Sequence, residues 1–171
     1  MIYPIVKYGH PVLEQAAETV TEFDTPELHK FIEDMFESMY AAKGVGLAAP
    51  QIGIGRRIAV IDASAGEDAA QRLVLINPEV VRVEGFQTTE EGCLSVPGFR
   101  EQVTRAKRVT VRFQDVQGQA REMTGEDLLA RAFLHETDHL RGRLFLSRVS
   151  VLKRDLIRRK IRKLVKAGEW A

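Results

Sequence analysis

Gly125-Glu126-Asp127-Leu128-Leu129-Ala130-Arg131-Ala132-Phe133-Leu134-His135-Glu136-Thr137-Asp138-His139-Leu140-Arg141 organises the rest of this sequence. The run predicts a helix from about Gly125 to Arg141, opened by Thr124 and Asp127 as a variant capping box and closed by Gly142. Leu129, Phe133 and Leu140 mark a core side, and Leu128, Ala132, His135 and His139 line the side next to it. Four residues at about 100° each bring His139 within about 40° of His135, one turn further on. Both imidazoles therefore project toward one point, as a two-ligand metal clamp does. Glu136 sits beside the first histidine, where a carboxylate reaches a water on the metal. The plain alternative is two histidines on a solvated helix with a glutamate between them by chance.

Working outward, Thr25 to Lys43 carries a second helix signal. Thr25 is placed as N-cap, Pro26 at the first helical position and Glu27 in the first turn; Leu28, Phe31, Ile32, Met35 and Met39 recur at helical spacing, and Gly44 stands at the C-terminal cap. Between the helices lie short β-branched runs at Ile58–Ile61, Leu73–Ile76 before Asn77-Pro78, and Val80–Val83, then the alternating Val109, Val111 and Phe113 before a turn at Gly118. Asp62 to Ala70 reads as a surface loop. Strands followed by a helix, without regular alternation, predict an α+β fold. Mixed or antiparallel short-stranded sheets should pack around a central metal-binding helix, with an N-terminal helix and a basic C-terminal helix.

The chain has 171 residues, 44% hydrophobic and 29% charged, with a single cysteine. A chain of this length buries roughly 70% of its surface, so one domain over residues 1–171 is expected and a disordered or disulfide-stapled chain is excluded. No basic, apolar leader opens the sequence and no window approaches a membrane span, which points to a soluble, cytoplasmic protein. The net charge of +1 is unevenly spread. From Arg148 onward nine basic residues face Asp155 and Glu169, a balance of +7, which leaves −6 for the first 147 residues. That asymmetry suggests an anionic partner for the tail.

A hydrolytic metal needs a third protein ligand and an open position. Cys93 stands in Glu90-Glu91-Gly92-Cys93-Leu94-Ser95-Val96-Pro97-Gly98. Alone it reads as a small buried hydrophobe; together with the histidines the reading reverses, and its thiolate would complete a three-ligand shell. Gly44-Val45-Gly46-Leu47-Ala48-Ala49-Pro50-Gln51-Ile52-Gly53 superficially matches a dinucleotide fingerprint, but it follows a helix and runs into Pro50. On its own it is a structural turn.

Together, Gly44–Gln51, Glu91–Ser95 and His135–His139 resemble the three signatures of the peptide deformylases, G-φ-G-φ-A-A-x-Q, E-G-C-φ-S and H-E-x-D-H, where φ is apolar, in the family's order. The resemblance extends over nearly the whole chain, including the strap at Gly9-His10-Pro11-Val12-Leu13. It implies removal of the formyl group from N-formyl-methionyl nascent peptides, with release of formate. It implies that Cys93, His135 and His139 bind one divalent metal, with water as fourth ligand and Glu136 as general base. The side-chain amide of Gln51 and the backbone N–H of Leu94 would stabilise the formyl oxyanion, charge that appears only in the transition state. The substrate would pair like an added strand with backbone around Val45, Gly46 and Gly92. Its methionine would enter a recess by Val45, Leu128, Ala132 and the His135 ring, with Arg100 at the rim and Arg131 either there or on plain surface.

Softness alone suits zinc; the family implies Fe2+ in the cell, with Zn2+, Ni2+ or Co2+ able to substitute. A thiolate beside iron also implies sensitivity to oxygen and peroxide. The basic segment from about 150 to 171 reads as a helix with a stripe of Ile157, Ile161, Leu164 and Val165. It is either a docked helix with a solvated cationic face or, as the family implies, a ribosome contact whose affinity falls with salt. Removing residues after Ser150 should then spare turnover of a short formyl-peptide. A monomer is expected. The rival readings are a zinc endopeptidase built on the same helix and a catalytically silent ribosome-binding module with a structural metal.

Overall fold

A computed structural model describes residues 1–170; Ala171, the end of the expected basic segment, lies outside the described residues. The fold is α+β, with two antiparallel sheets and three long helices. The first helix, α1 (Pro26–Ala41), starts as expected, with the Thr25 hydroxyl accepting from the Leu28 N–H. Its end differs. Lys43, not Gly44, takes the left-handed conformation (φ +59°), and the Lys43 and Gly44 N–H groups close on the carbonyls of Tyr40 and Met39.

Five strands form the main sheet in the order β1-β2-β3-β6-β7: β1 (Gly46–Ala48), β2 (Ile58–Asp62), β3 (Arg72–Glu84), β6 (Arg108–Gln114) and β7 (Ala120–Glu126). A separate hairpin pairs β4 (Gln87–Gly92) with β5 (Arg100–Arg105). The two runs expected on either side of Asn77-Pro78 are one strand. Pro78 is accommodated where the register to β6 shifts, and Asn77 adopts φ +52°. Asn77 also stitches the N-terminal strap to the sheet: its amide nitrogen donates to the Val20 carbonyl and its oxygen accepts from the Val20 N–H.

Alternation along β2 assigns the layers. Ile58 and Val60 pack with Phe31, Ile32, Met35 and Met39 of α1, whereas Ala59 and Ile61 pack with Ala130, Phe133 and Leu140 on the opposite face. Those last three belong to α2 (Asp127–Leu140), which thus lies against the middle of the sheet. The expected capping box does not form. Thr124 is still in β7, where its hydroxyl bonds that of Thr110, and Asp127 turns strand directly into helix with φ +54°. Past the helix, Gly142 (φ +77°) lies so close to the strap that a Cβ there would be 2.8 Å from the Glu14 backbone.

The third helix, α3 (Val151–Lys166), is capped by Ser150. Ile157 and Ile161 are buried and Leu164 packs beside them, but Val165 is exposed and does not belong to the stripe. These residues and Trp170 share a cluster with Val96, Val103 and Phe145, against which Cys93 and Phe99 pack. The tail is therefore docked on the hairpin that carries the cysteine. Truncation after Ser150 would uncover this cluster, so it is not the neutral deletion that the sequence alone suggests.

Candidate active site

Strand β1 ends in the short 3-10 turn Ala49–Ile52, which aims Gln51 inward; its side-chain oxygen accepts from the Ala48 N–H at 3.0 Å. Residues beyond β4 turn back at Cys93, and α2 supplies His135, Glu136 and His139. The ligand atoms of Cys93, His135 and His139 lie within 4.8 Å of one another. Cys93 Sγ is 3.3 Å from His139 Nε2, which is 3.1 Å from His135 Nε2. The Ser95 N–H and the Gln51 side-chain nitrogen point at the sulfur from 3.4 and 3.5 Å.

Glu136 is buried, and its Oε1 has no hydrogen-bond partner. Burial pushes its carboxyl up to about 7, opposed by charge on His135 and reinforced by Glu91. A Cβ on Gly46 would come within 2.5 Å of Glu136 Oε2, so β1 passes the carboxylate as closely as a backbone can. Burial disfavours charge on both histidines, yet the carboxylates of Glu136 and Glu91 and the bond to Cys93 hold His135 well above its ordinary value. His139, buried and beside His135, is held well below.

This donor set fits a divalent metal. One sulfur and two imidazole nitrogens converge, His135 is oriented through Nδ1 by Glu91 Oε2 at 2.8 Å, and an unpartnered carboxylate sits alongside.

The converging groups open onto a cleft of about 480 Å³. Val45, Gly46, Gln51, Gly92, Cys93, Leu94, Arg100, Leu128, Ala132, His135 and Glu136, all expected from sequence, line it; His139, the third donor of the cluster, is buried and does not line it. Arg131 lines the cleft as well. Arg100 is paired with Glu90 at 2.9 Å and lies against Gly92. The Leu94 N–H has no hydrogen-bond partner among the described residues. Strand β1 is an edge of the main sheet, and β4 has β5 as its sole partner, so two unpaired strand edges flank the opening.

Sequence reasoning missed the buried charges that hold this arrangement. Arg105 donates two bonds to Glu91, at 2.8 and 2.7 Å, and a third to Asp138 at 3.0 Å; Arg148 adds bonds to Asp138 at 2.8 and 3.2 Å. The hairpin bearing Cys93 is thereby tied to the helix bearing the histidines. Glu91, two residues before Cys93, and Asp138, next to His139, were the available signal, since carboxylates buried there require a cationic partner. The segment just ahead of the expected strap also matters: Val6 and Tyr8 donate to the carbonyls of Gln51 and Ser95, fixing both loops from behind.

With this geometry established, similarity to known proteins is informative. A model of the polypeptide deformylase family matches residues 2–155. A peptide deformylase of Acidobacterium capsulatum is 61% identical over 170 residues, covering 99% of both chains. One from Alkalilimnicola ehrlichii is 47% identical over 167 residues, covering 98% of this chain and 93% of the other. Among solved structures, the peptide deformylase from Legionella pneumophila superposes with a TM-score of 0.89 at 44% identity, covering 98% of each chain. That from Synechococcus elongatus in complex with actinonin gives 0.86 at 39% identity, covering 97% of this chain and 88% of the other.

Proposed function

Because the chain belongs to the polypeptide deformylase family, we propose that it hydrolyses the formyl amide of N-formyl-methionyl peptides with the residues gathered in this cleft. The single observation that carries the residue assignment is the unpartnered Glu136 carboxylate beside three convergent metal donors at the floor of the cleft. Cys93, His135 and His139 would hold one divalent ion, Fe2+ in the cell, with Zn2+, Ni2+ or Co2+ as substitutes. When bound, the ion supplies Lewis acidity, drawing charge from the formyl oxygen and making a water acidic.

The peptide lies between the free edges of β1 and β4, bonding backbone near Val45, Gly46 and Gly92, with the methionine side chain against Leu128 and Ala132 and Arg100 at the rim. Glu136 takes a proton from the attacking water. The Gln51 amide nitrogen and the Leu94 N–H donate to the oxygen that becomes negative as the carbonyl carbon turns tetrahedral, each worth roughly 3–4 kcal/mol in such sites. Glu136 then gives the proton to the amide nitrogen, the C–N bond breaks, and formate and a free amino terminus leave. A carboxyl with a pKa near 7 suits both transfers.

Formate release from formyl-Met-Ala-Ser, assayed anaerobically with iron, tests the assignment. Glu136→Ala is expected to lower kcat by about 10²–10⁴ while metal content stays unchanged. Equal rates in the two proteins would reject Glu136 as the base, and cleavage of an internal peptide bond would favour the endopeptidase reading instead.

The cationic face of α3 is proposed to meet the ribosome in a cytoplasmic monomer; no helix of the described residues is long and apolar enough to cross a membrane. Support comes from charge and exposure: Arg159, Arg162 and Lys166 are exposed. Reversing these three charges should weaken ribosome binding and flatten its salt dependence, with turnover of the short peptide kept. Unchanged ribosome affinity would end this part of the proposal.

A further inference from the structure

A second, more open cavity of about 440 Å³ adjoins the catalytic cleft and is unused by the reaction just described. Its lining is Phe99, Lys160, Lys163, Leu164, Ala167 and Glu169. Phe99 lines the catalytic cleft too, so the two cavities share one wall. That wall is held in place. The Phe99 ring meets Trp170 edge to face at 6.1 Å, and the Trp170 indole N–H donates to the Tyr8 carbonyl at 2.9 Å.

Charge in the groove is lopsided. Among the described residues, Lys160 and Lys163 make no ion pair and Glu169 is the only carboxylate in the lining. The path toward it carries both signs: Lys43, Arg100 and Arg131 line the cleft beside Glu90, Glu91 and Glu136, but Glu90 is paired with Arg100 and Glu91 with Arg105, which leaves Lys43 and Arg131 without an ion pair among the described residues. Leu164, Ala167 and Phe99 supply apolar floor between the ammonium groups. A fixed, partly apolar channel with unpaired ammonium groups matches an extended segment bearing carboxylates.

We propose that this groove receives the part of a formyl-peptide downstream of the residues seated in the catalytic cleft, and that it favours acidic side chains there. The inference rests on the deformylase assignment above, which orients the peptide with its formyl end at Glu136. Each residue of an extended peptide advances about 3.3–3.6 Å, so the groove is reached within the next few residues once the chain passes Phe99. Lys160 and Lys163 then pair with aspartate or glutamate on the substrate, and the preference adds to whatever the catalytic cleft selects. Peptides confined to the cleft do not sense it.

The test uses the iron-loaded full chain at low ionic strength and three substrates: formyl-Met-Ala-Ser, the same peptide extended by Gly-Gly-Asp-Glu-Asp, and its extension by Gly-Gly-Asn-Gln-Asn. The acidic extension should show a KM about threefold to tenfold below that of the neutral one, the size expected of one or two exposed ion pairs, with the gap closing as salt rises. In the Lys160→Glu/Lys163→Glu variant the preference should vanish or invert, with kcat/KM for the short peptide within about twofold of the wild type, the scatter expected of surface substitutions. An equal charge change at Arg159→Glu/Lys166→Glu, which lie outside the groove, should leave most of the preference in place. Equal KM values for the two extensions would overturn the proposal, as would an equal loss of preference in both variants, since that would assign the effect to the general field of α3. Failure of the short peptide to react at all would instead defeat the deformylase assignment.

Discussion

Glu136, proposed as the base, is set apart by what is missing around it. It is buried, one carboxylate oxygen bonds nothing, and a Cβ on Gly46 would stand 2.5 Å from the other. Gly46→Ala should therefore push the carboxylate aside and lower kcat by about 10²-fold, the scale seen when a reacting group moves by about an ångström, while thermal stability changes little because the displaced atoms are a side-chain end. A steady-state assay beside a melting curve checks both halves. The metal donors carry a second expectation. Both imidazoles must be neutral to bind an ion, yet His135 sits well above its usual value. Loading the metal-free protein near pH 7 should release at least one proton, visible as a dependence of the calorimetric heat on the buffer's ionisation enthalpy. At this scale the histidines and Glu136 were legible because helical spacing alone brings them together. Cys93 became legible only beside the histidine helix, as the third ligand that a hydrolytic metal needs, and Gln51 only through the family signatures, since no local rule links either turn to a helix so far along the chain. Arg105 and Arg148 were not legible at all. Their partners are distant in sequence, and a run such as Arg105-Ala106-Lys107-Arg108 looks like solvated surface.

Helix α2 and the β4–β5 hairpin are clamped through Glu91, Arg105 and Asp138. Glu91 is buried, and although burial alone would raise its carboxyl, bonds from Arg105 and His135 pull it down to about 2, below its usual 4.5. A depressed folded-state pKa contributes stability that is complete above about pH 4.5 and lost as pH falls toward 2. The size is roughly 3 kcal/mol. Glu91→Gln should remove that acid-dependent component and, at neutral pH, cost about 3–5 kcal/mol by leaving Arg105 short of a partner; urea midpoints across pH 2–7 would report both. The end of α1 offers the opposite test. Lys43 bears the left-handed strain that glycine relieves, so Lys43→Gly should stabilise by about 0.5–1 kcal/mol, a rise of about 1–4 °C in Tm. Element types were readable from periodicity: α1, α2 and the core strands fall where apolar spacing puts them. Their junctions were not. Thr124 looked like a cap but pairs across strands, and Asn77-Pro78 looked like a break but is absorbed by a shift in register.

Across the whole molecule, three apolar clusters meet around the cleft, and the last of them includes the tail. Trp170→Ala should cost about 3–5 kcal/mol, the usual loss for a buried large aromatic, and should raise KM through Phe99 more than it lowers kcat, because the metal donors and Glu136 are untouched. Uneven charge along the chain was visible from composition. That the same helix is also anchored by Ile157 and Ile161 was half visible, since the stripe predicted a docked face without saying where it docks.

The two unpaired strand edges beside the cleft carry one last implication. An extended guest that hydrogen-bonds through its main chain presents the same donors and acceptors whatever its spelling. Selection inside the cleft then falls mainly on the first side chain and on the cap at its end, so a single copy of this protein would process unrelated polypeptides provided that they begin alike, with any downstream charge only grading the rate.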